Sequence, residues 1–348
     1  MPDKPPFLFM QKAVFPREID PSGHLYLTYG QLTIDIGVRD FSMSDDPYDG
    51  KEPNRGYYGF TPRIKEIVAK NVGDHASMSS GRKGVKELYG IGKGKTAIIC
   101  GSGRSILKAA ESIPPKGDPA HDDLIVIALN SSGVALGADK VDYLFALDFS
   151  ARALDNPECG VKSWYPEELR SLPIVLSSNT PGVLCDLFAD RYYFAGPDWT
   201  SKQDRADFGF LDIGGIASFS AAHLAYKMGV ERVIWIGHDF AYMPDDGKVW
   251  NHFDEPMTAD WQIKHNVGYA TGYDGSPVPC DERLHRNMRC VAGCSYMMAD
   301  QGIEVINATG FGTLGIHQEP EKDGAAGVYT MDLKDALERI QSRSEVFA

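Results

Sequence analysis

From Thr96 onward the chain alternates short apolar runs with segments of helical character. The runs cover 96–100, 124–130, 141–148, 173–178, 191–196, 232–237 and 303–309. Each is too short for a buried helix, shows no polar alternation, and ends in or is followed at once by Gly, Asn, Asp, Ser or Thr. A strand covered on both faces has this pattern, because neither face can tolerate a polar side chain. The intervening segments, chiefly 105–113, 216–230 with Gly229 as a stop, and 282–301, read as helices. Parallel strands need such crossovers. The expectation is an α/β fold over 93–318: a doubly wound, mostly parallel Rossmann-like sheet with helices on both faces.

Residues 1–92 read as an N-terminal extension, partly irregular. A strand pair is expected near Leu25–Ile36, then a polar Gly/Pro/Asp-rich loop or lid over 41–60, then a helix within 61–90. Residues 319–348 read as a linker and a C-terminal surface helix. The balance of 35 basic against 48 acidic residues, net -13, excludes general nucleic-acid binding, which needs a basic face. No apolar run approaches the roughly 20 residues of a membrane span. The first residues lack the basic-then-apolar layout of a secretory signal, so a cytoplasmic location is expected. The six cysteines form no C-x-x-C pair. Cys290 and Cys294, near His285, lack the second close pair of a zinc site and read as packed thiols; no metal site is expected.

In an open parallel sheet, ligands bind outside the carboxyl ends of the strands. The first strand ends in Gly101-Ser102-Gly103-Arg104-Ser105, either a tight turn or a loop whose amides and helix start receive an anion. Ile106 stands where a dinucleotide fingerprint has its third glycine, and the second strand ends in Asn130 rather than an acidic residue. No P-loop is present. Asn130 reads as a base or ribose contact or a helix cap, and Asp148 as a metal or sugar-hydroxyl ligand or a cap. Gly214, Gly215 and Ser218 open a second Gly-rich helix start. The sixth strand ends in Gly237-His238-Asp239, with Asp239 as an anchor and His238 as an acid/base group. His252 and His265 lie in loop-like sequence with Asp254, Tyr269, Tyr273 and Asp274-Gly275. Both are general-base candidates, solvated loop polars being the plain alternative.

The order of the segments 100–106, 127–136, 143–148, 214–242, 272–284 and 303–316 resembles a known family. It joins bacterial motility accessory factor (Maf) flagellin glycosyltransferases with archaeal 6-hydroxymethylpterin pyrophosphokinases. The layout is also similar to bacterial sialyltransferases that use CMP-sialic acid. The resemblance spans about residues 85–315. It places Gly101, Gly103 and Ser105 in the family's Gly-x-Gly-Pro-Ser loop, with Arg104 replacing proline, and Asn130 where sialyltransferases contact the nucleotide. Gly214-Gly215 match the turn before the long helix, and Gly237 and Asp239 match a Gly-x-Asp. The pyrophosphokinase branch carries paired aspartates for magnesium at the third strand, where this chain has only Asp148.

The resemblance therefore implies a nucleotide-binding catalytic domain that moves a sugar, of the nonulosonic acid class, from a CMP-linked donor to an unidentified hydroxyl acceptor. No cofactor is expected. Gly101–Ser105 and Gly214–Ser218 would hold the CMP phosphate and ribose, with Ser102, His238 and Asp239 adjoining. Tyr269 and Tyr273 would stabilise the departing phosphate, and His265 or His252 would act as base. The alternatives are pyrophosphoryl transfer from ATP to a pterin alcohol with magnesium on Asp148 and Asp239, and a non-catalytic nucleotide- or sugar-binding module.

Overall fold

The computed structural model describes residues 17–19, 25–29, 32–35, 70–71, 83–147, 164–177, 180–195, 206–211, 216–250, 252–254, 256–258, 267–320 and 326–347. Near the N-terminus, β1 (Arg17–Ile19), β2 (Leu25–Tyr29) and β3 (Leu32–Asp35) form an antiparallel sheet. It contains the strand pair expected at Leu25–Ile36, with β1 added. The main sheet draws on β4 (Lys83–Gly84), β5 (Thr96–Cys100), β6 (Leu124–Leu129), β7 (Tyr143–Ala146), β8 (Ile174–Ser177), β9 (Arg191–Phe194) and β10 (Arg232–Ile236). Two hairpins follow, β11 (Met243–Asp245) with β12 (Lys248–Trp250) and β13 (Gly268–Thr271) with β14 (Pro277–Cys280). Strands β15 (Glu304–Asn307) and β16 (Val328–Thr330) rejoin the main sheet. The helices are α1 (Ile106–Ser112), α2 (Ser132–Leu136), α3 (Val183–Leu187), α4 (Ala217–Met228), α5 (Glu282–Asp300) and α6 (Leu333–Phe347).

The nine strands lie in the order β16-β15-β10-β5-β6-β7-β8-β9-β4, and every pairing is parallel. Alternate residues of each strand serve opposite faces. Ala97 and Ile99 of β5 join Val233 and Trp235 in a core with α4 and α5. Ile98 and Cys100 join Val126 and Ile234 in a core with α1, α2 and α6. Burying one large aliphatic side chain contributes roughly 1.5–3 kcal/mol, and both faces demand it, which explains the unbroken apolar runs. Helix α4 is buried along most of its length. Ala221, Ala222 and Ala225 let it lie close to the sheet, and Gly229 ends it at φ +78.

Two expected boundaries need correction. The large sheet begins at Lys83, inside the segment assigned to the extension. Lys83–Gly84 pairs with β9, and the turn behind it buries Val85 and Leu88 in the core. The tail is more than a linker and surface helix: β16 extends the sheet beside β15, and the expected helix, α6, buries Leu333, Ala336 and Ile340. Those three positions form a helical stripe, which is apolar because the sheet lies beneath it. Of the helix expected within 61–90, the described residues show Lys70 and Asn71 as helical and Val85–Leu88 as one 3-10 turn.

From β5 the chain winds outward through β6 to β9, then returns to place β10 on the other side of β5. The direction of winding therefore reverses between β5 and β10. At such a switch point the connections diverge and leave a crevice outside the carboxyl ends of the strands.

Candidate functional site

The loops after β5 and β10 are pressed together at this switch point. Gly101 N–H donates to the Ile236 carbonyl at 2.8 Å and Gly103 N–H to the Gly237 carbonyl at 2.9 Å. A Cβ on Gly101 would strike the Gly237 carbonyl oxygen, and a Cβ on Gly237 that of Gly101. Asp239 is 2% exposed. Its carboxylate accepts the Ser105 hydroxyl, the Ser105 amide at 3.1 Å and the Arg104 amide. Burial pushes the Asp239 carboxyl up to about 6, the bonds from Ser105 and Arg104 opposing the rise. A Cβ on Gly103 would come within 2.5 Å of Asp239 Cγ.

The expectation of a phosphate cradle built from the Gly101–Ser105 amides is corrected accordingly. The amides of Gly101, Gly103 and Ser105 are occupied by the chain's own oxygens, and Gly101, Gly103, Ser105 and Asp239 build the crevice wall. A branched side chain at Gly103 would collide with the wall itself, so that glycine serves the fold as well as any ligand.

His238 points away from acid/base work. It is 3% exposed, with its ring centroid 4.8 Å from that of Trp235. Nδ1 lies 2.8 Å from the Ile236 carbonyl, which can only accept, so Nδ1 carries the proton. Nε2 then accepts from the Ser218 hydroxyl at 3.0 Å. Burial lowers the His238 pKa to about 4, so the ring is neutral and ties β10 to the first turn of α4. His238 and Ser218, expected beside the nucleotide, are engaged with each other. The segment after β15 braces the same strand end: Thr309 Oγ1 accepts the His238 amide at 3.3 Å, and the Thr313 amide donates to the Asp239 carbonyl at 2.9 Å.

His252 meets the loop after β5. Its Nδ1 is 3.1 Å from Ser102 Oγ, at the tip of the loop after β5. The adjoining Phe253 amide donates to the Ser102 carbonyl at 3.0 Å. Arg104, which stands where the family has proline, is paired. Its Nε and Nη2 donate to Asp245 Oδ2 at 3.0 and 2.9 Å, its guanidinium lies 3.9 Å from the Trp250 ring centre, and Nη1 donates to the Phe253 carbonyl.

At the neighbouring strand end Asn130 adopts φ +50. Its Oδ1 is buried and has no hydrogen-bond partner among the described residues, an arrangement that normally carries a cost. Tyr269 and Tyr273, on the second hairpin and its turn, are 51% and 39% exposed. The Tyr273 amide donates to the Gly312 carbonyl at 2.9 Å. Asp254 is exposed. Asp148, Gly214, Gly215 and His265 lie outside the described residues.

Sequence reasoning missed the first hairpin and the partners it gives Arg104. The signal was Asp246-Gly247, both at positive φ, the residues a two-residue hairpin turn requires. It also missed Asp281, which caps α5 through the Leu284 amide at 2.7 Å and accepts the Tyr242 hydroxyl at 2.6 Å. Among the described residues no group of three or more His, Cys, Asp or Glu side chains could hold a metal ion. Cys290 and Cys294 are buried in α5, and burial lowers the pKa of nearby His285 to about 4. No described helix is long and apolar enough to cross a membrane.

Fold and crevice together define a Rossmann-like α/β protein with its polar groups gathered at the switch point. No protein-family model matches the sequence, and no curated protein does. Among solved structures, the fold is similar to that of the MAf glycosyltransferase from Magnetospirillum magneticum AMB-1, with a TM-score of 0.54 at 15% identity. The likeness covers 83% of this chain and 43% of that one, so this chain spans less than half of that protein's length. At such identity the likeness is one of fold, and it agrees with the Maf-like order of the motifs.

Proposed function

We propose that the protein is a glycosyltransferase that moves a sugar from a nucleotide-linked donor to a hydroxyl acceptor, with His252 as general base. The observation that carries this is the contact of His252 Nδ1 with Ser102 Oγ at the crevice where an α/β sheet binds ligands. The Ser102 contact orients the His252 ring, and in this reading the imidazole takes the acceptor's hydroxyl proton. As the acceptor oxygen bonds to the sugar carbon, the bond from that carbon to the donor phosphate breaks and its electron pair leaves on the phosphate oxygen. Tyr269 and Tyr273, both open to solvent, are suited to donate to that oxygen.

The unpartnered Asn130 Oδ1 is an acceptor suited to a cytosine amino group or a ribose hydroxyl, which fits CMP as the carrier; the nonulosonic acid follows from the resemblance alone. His265 remains the second base candidate. The pyrophosphokinase reading has less support. It asks Asp239 to bind magnesium, whereas that carboxylate is already held by Ser105 and Arg104. None of the five described cysteines forms a disulfide, which fits a reducing, cytoplasmic setting.

The test is thermal-shift screening with CMP, CDP, UDP, GDP, ATP and a pterin, each with and without magnesium. A ligand that binds only the folded state raises apparent stability by mass action. A cytidine nucleotide should stabilise the protein without metal. Stabilisation by ATP and magnesium alone would transfer the assignment to pyrophosphoryl transfer. His252→Ala should keep CMP affinity and lose about 10²–10⁴-fold in turnover. Wild-type turnover in both His252→Ala and His265→Ala would refute the base assignment.

A further inference from the structure

We propose that Arg104 is a positioning residue that fixes His252 over Ser102, and that its charge serves this clamp rather than the substrate. The proposal rests on the reading of His252 as base.

Three independent parts of the segment 243–253 converge on one guanidinium. Asp245, at the end of β11, receives Nε and Nη2 at 3.0 and 2.9 Å. Trp250, at the end of β12, lies flat enough beneath the guanidinium for a 3.9 Å approach to its ring centre. The Phe253 carbonyl receives Nη1. The Trp250 indole N–H in turn donates to the Asp245 carbonyl at 3.1 Å, which locks the two hairpin ends together. Phe253 is thus pinned through both its carbonyl, by Arg104, and its amide, by Ser102. His252 immediately precedes it, so the backbone that carries its ring cannot shift off Ser102 without straining one of these bonds.

A planar fork that also stacks is what arginine supplies and lysine does not. The base of the clamp is equally fixed. The Arg104 and Ser105 amides are held by the buried Asp239 carboxylate, so the guanidinium projects from a loop locked to the sheet. The Arg104 side chain is largely buried, and its donors are engaged by Asp245 Oδ2 and the Phe253 carbonyl. Little of its charge is left for a phosphate.

The experiment compares Arg104→Ala, Arg104→Lys and Asp245→Asn with wild type. It reads the side-chain nitrogen resonances of His252 by NMR, assigned from their loss in His252→Ala, the affinity for CMP, and the release of CMP from a CMP-linked donor. In Arg104→Ala the His252 nitrogens should move toward the averaged values of a free imidazole, with CMP affinity within about twofold. Turnover should fall by roughly 10²-fold with KM unchanged, the size expected when a catalytic group is displaced by about an ångström. Asp245→Asn, which leaves the cation in place, should shift the same resonances in the same direction, and Arg104→Lys should recover part of the turnover. His252 resonances that stay fixed in both Arg104→Ala and Asp245→Asn would overturn the proposal. So would CMP affinity that falls tenfold in Arg104→Ala but is unchanged in Asp245→Asn, the signature of a direct phosphate contact. If the resonances move while His252→Ala turns over normally, Arg104 still positions His252, and it is the base assignment that fails.

Discussion

Replacing Asp239 with asparagine should make the protein more resistant to unfolding near neutral pH, relative to wild type, than it does in acid. Asp239 is buried, and its carboxyl titrates at about 6 rather than the ordinary 3.8. Below about pH 4 the carboxyl is protonated in both folded and unfolded chains, and its titration makes no difference between them. Between about 4 and 6 the unfolded chain gives up the proton while the folded chain keeps it. The folded state binds more protons over that window, so its stability falls as pH rises and levels off above about 6. At about 1.4 kcal/mol per pH unit, the charged carboxylate makes the fold roughly 3 kcal/mol less stable at pH 7 than its neutral form would. Asparagine keeps the shape and an acceptor for the Ser105 and Arg104 amides but cannot ionise. Urea denaturation of both proteins at pH 4.5, 5.5, 6.5 and 7.5 measures the difference at each pH, and groups common to both cancel. The difference should move in favour of Asp239→Asn by about 2 kcal/mol across the series, the first ~1 kcal/mol having been lost below pH 4.5. A difference independent of pH, or one that moves toward wild type, would show that the helix start and Ser105 stabilise the charge more than burial penalises it.

Further expectations concern the opposite end of the sheet and the neighbouring strand. Arg232 donates to Glu304 at 2.5 Å and to Thr96 at 3.2 Å, both side chains of the ion pair being buried. Arg232→Met should cost about 3 kcal/mol in urea denaturation, at the low end for a broken buried pair, because Arg339 still holds Glu304. A loss under 1 kcal/mol would mean the pair contributes nothing net. Asn130→Gly keeps a residue that tolerates the φ of +50 and removes the orphaned Oδ1. It should weaken CMP binding by on the order of 1 kcal/mol, about one hydrogen bond, while leaving the melting temperature within a degree or two. Equal CMP affinity in isothermal titration would detach Asn130 from the nucleotide.

The central strands were legible in the sequence because their cause is local. A strand covered on both faces must be apolar at consecutive positions, so β5, β6, β7, β8, β9, β10 and β15 announce themselves, as does α4 by its small apolar residues and Gly229. The edges were not legible. Strand β4 is two residues long and β16 three, and their membership in the sheet depends on partners far along the chain; α6 was legible as a helix, but not the stripe it buries.

The site divides in the same way. That residues following β5 and β10 would meet in a crevice follows from the order of strands and helices. Which of them face a ligand does not. His238 and His252 are both histidines in loops after strands, yet one packs on Trp235 as a neutral brace and the other sits on Ser102. The loop amides that look ready for a phosphate are taken by Ile236, Gly237 and Asp239, the last 134 residues from Ser105, and the histidine that meets Ser102 is 150 residues away. Hydrophobic periodicity records what a segment must bury, and that is written in neighbouring residues. A hydrogen bond between distant loops leaves no periodic trace, because its strength depends on the partner's position and on the exclusion of water, and both are set only when the sheet has closed around them.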